Sequence, residues 1–307
     1  MVSIFVAVTD WDWYDFLRTQ PSIAEVNFWQ PGGKTSFAAL EPGELFLFKL
    51  HSPRNFIVGG GVFWYATLLP ISLAWEAFGP ANGALSLDQM RARVTRYRRV
   101  ETDNRDDYQI GCRILEQPFF FDEDQWLPVP SSWSPNIVTG KVFRTDQSEG
   151  QALWEGVQER MYLHGVLQLS EGPAARYGEP ALIRPRLGQG VFRIEVTDAY
   201  SRRCAVTRER TLPVLEAAHI VPFAAGGEHT VSNGLLLRRD LHVLFDRGYM
   251  TISPDHHLEV SRKIREQFEN GRDYYALHGQ LIDLPQRVDQ RPARASLQWH
   301  NSERFLG

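Results

Sequence analysis

Cysteine is scarce in this 307-residue chain, which contains only Cys112 and Cys204. Two thiols are too few for a disulfide framework, so reduced, intracellular thiols are expected. No apolar run approaches the length of a membrane span. The opening stretch MVSIFVAVTD lacks a basic leader and a small-residue cleavage site, so no signal peptide is expected and a soluble, cytoplasmic protein is. A basic balance is missing too. The formal charge of −4 gives no global attraction to nucleic acid, so any basic surface must be local. There is no GxxxxGK[ST] phosphate loop, which excludes nucleotide-driven translocation by this chain. Internal repeats and low-complexity tracts are likewise absent.

What is present suggests two domains, since a single core usually stops growing by about 250–300 residues. Residues 1–145 read as a β-rich module. Ser3 to Val8 is a short strand, and Thr9 or Asp10 can cap a helix in TDWDWYDFL. Trp29 to Lys34 reads as a Gly-rich loop. GELFLFKL, NFIVGGGVFWYATL and IGCRILEQPFFF read as strands, with helices over Ser72 to Phe78 and Leu87 to Arg98. Glycines inside a strand mark a bulge or a close approach. Tryptophan and tyrosine are dense here, and most of these rings belong to a core. Trp11 and Trp29 are the best candidates to stack on a flipped base, with Asp10, Asp12, Asn27, Gln30 and Ser36 as edge readers. Residues 146–185 read as a helical linker, with a helix over Gln151 to Gln168 and then a Gly/Pro/Arg-rich stretch.

Residues 186–307 centre on Leu215 to Tyr249. An apolar strand ending at His219 leads to a turn at Gly226 and Gly227, and Asn233 precedes a second apolar run, the pattern of a β-hairpin. From Arg239 the period changes. Leu241, Leu244 and Phe245 fall at helical spacing, which puts His242 and Asp246 on a neighbouring face. A ββα unit of this kind can hold a divalent cation beside a neutral imidazole, the equipment for phosphodiester hydrolysis. His219 is then the general base, His242 a metal ligand, Asp246 a second ligand, and Asn233 the residue that locks the turn and orients His219. Asp246 could instead pair with Arg247 or end its helix, and His229 reads as a solvated loop residue. Arg184, Arg186, Arg203 and Arg238, with Arg193, Arg202, Arg208, Arg210 and Arg239, form a local basic cluster suited to DNA phosphates. After Asp255 come a charged helix carrying Ile264 and Phe268 and ending with the turn at Gly271, then a short strand and a terminal helix.

His219, Asn233 and His242, in the frame AAHI, SNGLLL and DLHVLFDRGY, resemble the HNH (ββα-metal) endonuclease family over Arg203 to Ile252. The resemblance implies a divalent ion, Mg²⁺ or a similar one. Many relatives place a metal-binding Asp or His before the base histidine, where this chain has Ala218. Asp246 is the candidate replacement, with Glu216 and Asp240 weaker ones. The N-terminal layout of FWQPGGKTSFAALEPGELFLFKL, IVGGGVF and IGCRILEQPFFF resembles the PUA superfamily, with its EVE, ASCH and SRA-type modules. The expected fold is therefore α+β, a PUA-like twisted β-barrel with helical inserts followed by a ββα-metal domain. Chains joining two such modules resemble modification-dependent restriction endonucleases. That implies double-stranded DNA carrying a modified base, a modified cytosine before a modified adenine. One centre cuts one strand, so a double-strand break needs two centres or two visits, and a homodimer would supply the former. Two other readings stay open. One is a binding protein that has lost catalysis, which Ala218 favours, and the other is an RNA-directed nuclease.

Overall fold

The computed structural model describes residues 2–21, 23–32, 37–98, 107–163 and 188–307. The chain divides into two compact units, Met1–Pro185 and Arg186–Gly307. Helices and strands mix in both, an α+β chain as expected. Among the described residues no helix is long and apolar enough to cross a membrane.

In the first unit the β-branched start forms β1 (Ser3–Thr9), with Ile4 and Val6 fully buried. Asp10 ends the strand and caps α1 (Trp11–Arg18) by accepting from the Asp12 amide. There follow β2 (Glu25–Gln30), β3 (Leu45–Leu50), β4 (Phe56–Pro70), α2 (Ile71–Phe78) and α3 (Leu87–Tyr97). Then come β5 (Gln109–Phe120), β6 (Leu127–Pro128), β7 (Gly140–Arg144) and α4 (Ser148–Leu163). The seven strands make one sheet of order β2-β5-β4-β3-β1-β7, with β6 on β4. Among the described residues only β1 and β3 pair in parallel.

Two sequence expectations need correction here. Trp29 and Gln30 are not in a loop: they pair with Cys112 and Gly111 of β5, because the aromatic run before the glycines has a partner strand to bury against. The helix assigned to the linker also belongs to the first unit. α4 places Leu153 and Val157 in one core with Ile4, Val6 and Leu45, so its apolar positions are spent on the sheet. Residues 164–187, with Arg184 and Arg186, lie outside the described residues.

The three-glycine run in β4 coincides with a register shift between Gly60 and Val62, as a bulge requires. A Cβ on Gly60 would lie 2.6 Å from the Phe46 carbonyl oxygen and 2.8 Å from both the Leu47 side chain and the Phe119 ring. Backbone packs on backbone there, with no room for a methyl group.

The second unit begins with α5 (Gln189–Ala199) and continues into the antiparallel pair β8 (Leu215–His219) and β9 (Gly234–Arg238). α6 (Arg239–Asp246) follows directly, completing a ββα unit. A second hairpin, β10 (Met250–Ile252) and β11 (Leu258–Val260), precedes α7 (Lys263–Phe268), α8 (Arg272–Tyr275) and α9 (Arg294–Glu303). The charged helix expected after Asp255 is α7, which ends before the turn at Gly271 as expected, and the short α8 follows that turn. Glu269 (φ 57°) and Gly271 (φ 113°) adopt left-handed backbone between them, which ends the first helix. Leu235, Leu236, Leu237, Leu241 and Phe245 share one buried cluster with Phe192 and Val196 of α5.

Gly60→Ala is expected to destabilise the first unit by about 1–3 kcal/mol through overpacking. Urea unfolding followed by tryptophan fluorescence would show a lowered midpoint, and an unchanged midpoint would mean that the strands can move apart at no cost.

Candidate active site

Full burial of Leu241 and Phe245, worth roughly 1.5–3 kcal/mol for each side chain, fixes the rotation of α6 against the hairpin. That rotation turns His242 and Asp246 toward the end of β8. His300 of α9 supports the helix from below: its ring stacks on Phe245 at 3.7 Å, Nε2 bonds the Phe245 carbonyl at 3.1 Å and Nδ1 bonds Thr251 at 2.8 Å. His219, His242 and Asp246 line one cavity of about 410 Å³, together with Gln189, Phe223 and Arg304 among others.

The His242 imidazole lies between two carboxylates. Its Nδ1 donates to Glu216 Oε2 at 2.8 Å, and its Nε2 lies 3.2 Å from Asp246 Oδ2. Glu216 also approaches Arg239 at 3.4 Å. Burial alone would depress the His242 pKa, but hydrogen bonds to Asp246 and Glu216 outweigh it and leave the group raised. His219 shifts the other way. Burial first, then the neighbouring His229, push it down to about 4, against an opposing pull from Asp246. At neutral pH His219 is therefore uncharged and keeps one ring nitrogen lone pair.

Phe192 of α5 stacks on the His219 ring with centroids 3.8 Å apart and planes at 12°. His219 Nε2 and His229 Nδ1 share a hydrogen bond of 2.9 Å, so His229 is a half-buried neighbour of His219 and not the solvated loop residue expected. Asn233 was expected to orient His219 through its side chain, but that side chain bonds the loop instead. Its Oδ1 accepts from the Val221 amide, and its Nδ2 donates to the carbonyls of Val221 and Glu228, all at 2.9 Å. Gly227 is what lets the amide in, since a Cβ there would sit 2.9 Å from Asn233 Nδ2 and 1.8 Å from the Val221 carbonyl oxygen.

The arginines expected on DNA are placed unevenly. Arg238 is held by Asp240 in a two-bonded pair at 2.6 and 2.7 Å. Neither Arg203 nor Arg238 lines the cavity, whereas Arg304 does. Arg304 had no sequence signal, because only the docking of the C-terminal helix brings it near.

A second cavity, about 860 Å³, lies in the first unit. Asp10, Trp29 and Gln30 line it with Trp13, Tyr97 and Arg113. Trp11 does not, since its ring is covered by the Arg54 guanidinium at 3.8 Å and packs beside Tyr14 and Trp126. Asn27 is fully buried and bonds Asn82 at 2.8 Å, a core role, while Ser36 lies outside the described residues. Arg113, missed in the sequence, is buried among phenylalanines, with Phe37 at 4.4 Å, and donates to Gln30 Oε1 at 2.6 Å. Burial lowers its pKa to about 10, still fully charged at neutral pH.

Residues 204–253 match the profile of the HNH_2 family, described as HNH endonuclease. The second unit thus carries an HNH endonuclease domain, and His219, Asn233, His242 and Asp246 all fall inside it. Among solved structures the chain is similar to an ASCH protein from Zymomonas mobilis, with 11% identity and a TM-score of 0.33 over 50% of this chain and 94% of that one. It is also similar to the modification-dependent TagI restriction endonuclease, with 12% identity and a TM-score of 0.29 over 97% of this chain and 81% of that one. No curated protein matches it.

HNH nucleases typically use a divalent metal. Among the described residues no three His, Cys, Asp or Glu side chains form a ready cage. The pair His242 Nε2 and Asp246 Oδ2 nevertheless presents one imidazole and one carboxylate to the cavity. A mixed nitrogen and oxygen donor pair of this kind fits a divalent ion that accepts one imidazole and takes waters and substrate phosphate oxygens as its remaining ligands. Ala218 offers no donor, and Glu216, considered above as a ligand, is engaged by His242 Nδ1, the position of a carboxylate that orients a metal-binding histidine.

Glu216→Gln should lower the His242 pKa, because the variant removes one of the two carboxylates that favour the charged ring. A ring-proton NMR titration would show the inflection at lower pH than in the parent, and an unchanged inflection would contradict the pairing.

Proposed function

We propose that this chain is a modification-dependent DNA endonuclease in which His219 deprotonates the attacking water. The observation that carries the reading is the convergence of His219, His242 and Asp246 on one cavity within the HNH domain. His219, neutral at physiological pH, takes a proton from water; the water oxygen attacks phosphorus and the bond to the leaving oxygen breaks. A divalent ion, Mg²⁺ by default, held by His242 Nε2 and Asp246 would supply stabilisation of the charge on the phosphate. His242 must give up its proton to serve as a ligand, so its raised pKa ties metal affinity to pH: binding weakens as pH falls through that value. Arg304 and the exposed Arg239 are the cations placed to meet phosphate oxygens.

The first unit is the reader in this account. Its cavity is of a size that takes a small ligand, and its polar lining suits a cytosine edge. The Asp10 carboxylate would accept from the exocyclic amine, with Gln30 and Arg113 donating to the ring acceptors and Trp29 giving an aromatic wall. The substrate would be double-stranded DNA with a modified cytosine, and a homodimer would provide the second centre for a double-strand break.

His219→Ala should lower the cleavage rate by roughly 10²- to 10⁴-fold while DNA affinity in a gel-shift assay stays near the parent value. Full cleavage by the variant would remove His219 from the reaction. Asp10→Asn keeps a competent helix cap but exchanges the acceptor, so the preference for modified over unmodified duplex should shrink by about 1–3 kcal/mol. Competition binding with duplexes containing cytosine, methylcytosine, hydroxymethylcytosine or methyladenine measures it, and an unaltered preference would place the reader elsewhere.

A further inference from the structure

We propose that His229 is a positioning residue that fixes the tautomer of His219 and stabilises the imidazolium formed when His219 takes a proton. The inference rests on His219 acting as the general base. The 2.9 Å contact joins Nε2 of His219 to Nδ1 of His229, so one proton lies between two nitrogens and only one arrangement is productive. If His229 donated to His219 Nε2, the His219 proton would sit on Nδ1, and neither nitrogen of that ring would have a free lone pair. If His219 donates from Nε2, its Nδ1 is left free to take a proton.

The surroundings hold the pair in place. Phe192 stacks on His219, and Phe223 stacks on His229 with centroids 4.8 Å apart and planes at 9°. The two imidazoles meet at 63°, edge toward face. Asn233 completes the chain of support. Its amide donates to the carbonyl of Glu228, the residue directly before His229, and it holds Val221, two residues beyond His219, from both sides. Asn233 therefore orients the base through the loop that carries His229.

In the reaction the water O–H bond breaks and an N–H bond forms at His219 Nδ1, with the oxygen electron pair going to phosphorus as the leaving-group bond opens. His219 is then cationic, and its Nε2–H bond to neutral His229 strengthens, as the hydrogen bond from a base to its orienting partner does in other catalytic dyads and triads. The other titratable groups acting on His219 are His242 and Asp246. They do not bond its Nε2, so His229 alone fills this place among the described residues.

The test combines ¹⁵N NMR of the parent protein with kinetics of three variants. The parent should show the His219 proton on Nε2, and a proton on Nδ1 would overturn the proposal without any mutation. His229→Leu should lower kcat by roughly 10²- to 10³-fold with KM near the parent value. His229→Gln, whose carbonyl oxygen can accept from Nε2, should recover most of the loss and should flatten any contribution of His229 to the pH profile. Equal loss in both variants, or a KM effect with unchanged kcat, would reduce His229 to a loop residue. Full cleavage by His219→Ala marks failure of the base assignment itself, whereas an inactive His219→Ala beside a fully active His229→Leu marks failure of this inference alone.

Discussion

The second unit depends on the packing of one helix against one short hairpin. Leu241 and Phe245 are driven into the same apolar cluster as Leu235, Leu236 and Leu237, and burying both fixes the rotation of α6. Because the two side chains lie four residues apart, the neighbouring i, i+4 pair, His242 and Asp246, has to face the end of β8. Register does the same for His219. It is the last residue of its strand, opposite Gly234, so its ring stands at the rim of the hairpin where the cavity opens.

Two histidines of one cavity are shifted in opposite directions by their neighbours. His219 is half-buried under an aromatic ring, and a charged His229 would repel its proton, so charging it at rest is unfavourable. His242 has carboxylates at both nitrogens, so charging it is favourable until a cation takes the place of the proton. Under the proposed function, a pair of titratable groups pushed apart in this way would divide the chemistry into a base and a ligand. Neutralisation by Asp246 and Glu216 also keeps the cavity from being strongly positive before substrate arrives.

Much of the ββα unit was legible because apolar periodicity marks its elements. The strand ends at His219, the second strand starts just after Asn233, and the change from period two to period 3.6 falls at Arg239. Contacts across the unit were not legible. Glu216 meets His242 from 26 residues away, and His229 meets His219 only because the loop folds back under Asn233. Arg304 comes from a helix whose docking no local pattern announces. In the first unit the aromatic density pointed to the right region but not to the right rings: Trp29 reaches the cavity from a strand, while Trp11, one residue past the cap, turns to Arg54. Arg113 lies within an apolar strand, and only the packing of β5 brings it to the cavity.

The central claim is that His242 and Asp246 hold the ion that serves a water activated by His219. The most direct measurement is anomalous diffraction from crystals of the His219→Ala protein with Mn²⁺ and a modified duplex. The account predicts a manganese peak bounded by His242 Nε2, an Asp246 carboxylate oxygen and a backbone phosphate, with the vacated His219 position facing that phosphate. A peak elsewhere in the second unit, or a phosphate bound away from this cavity, would contradict it.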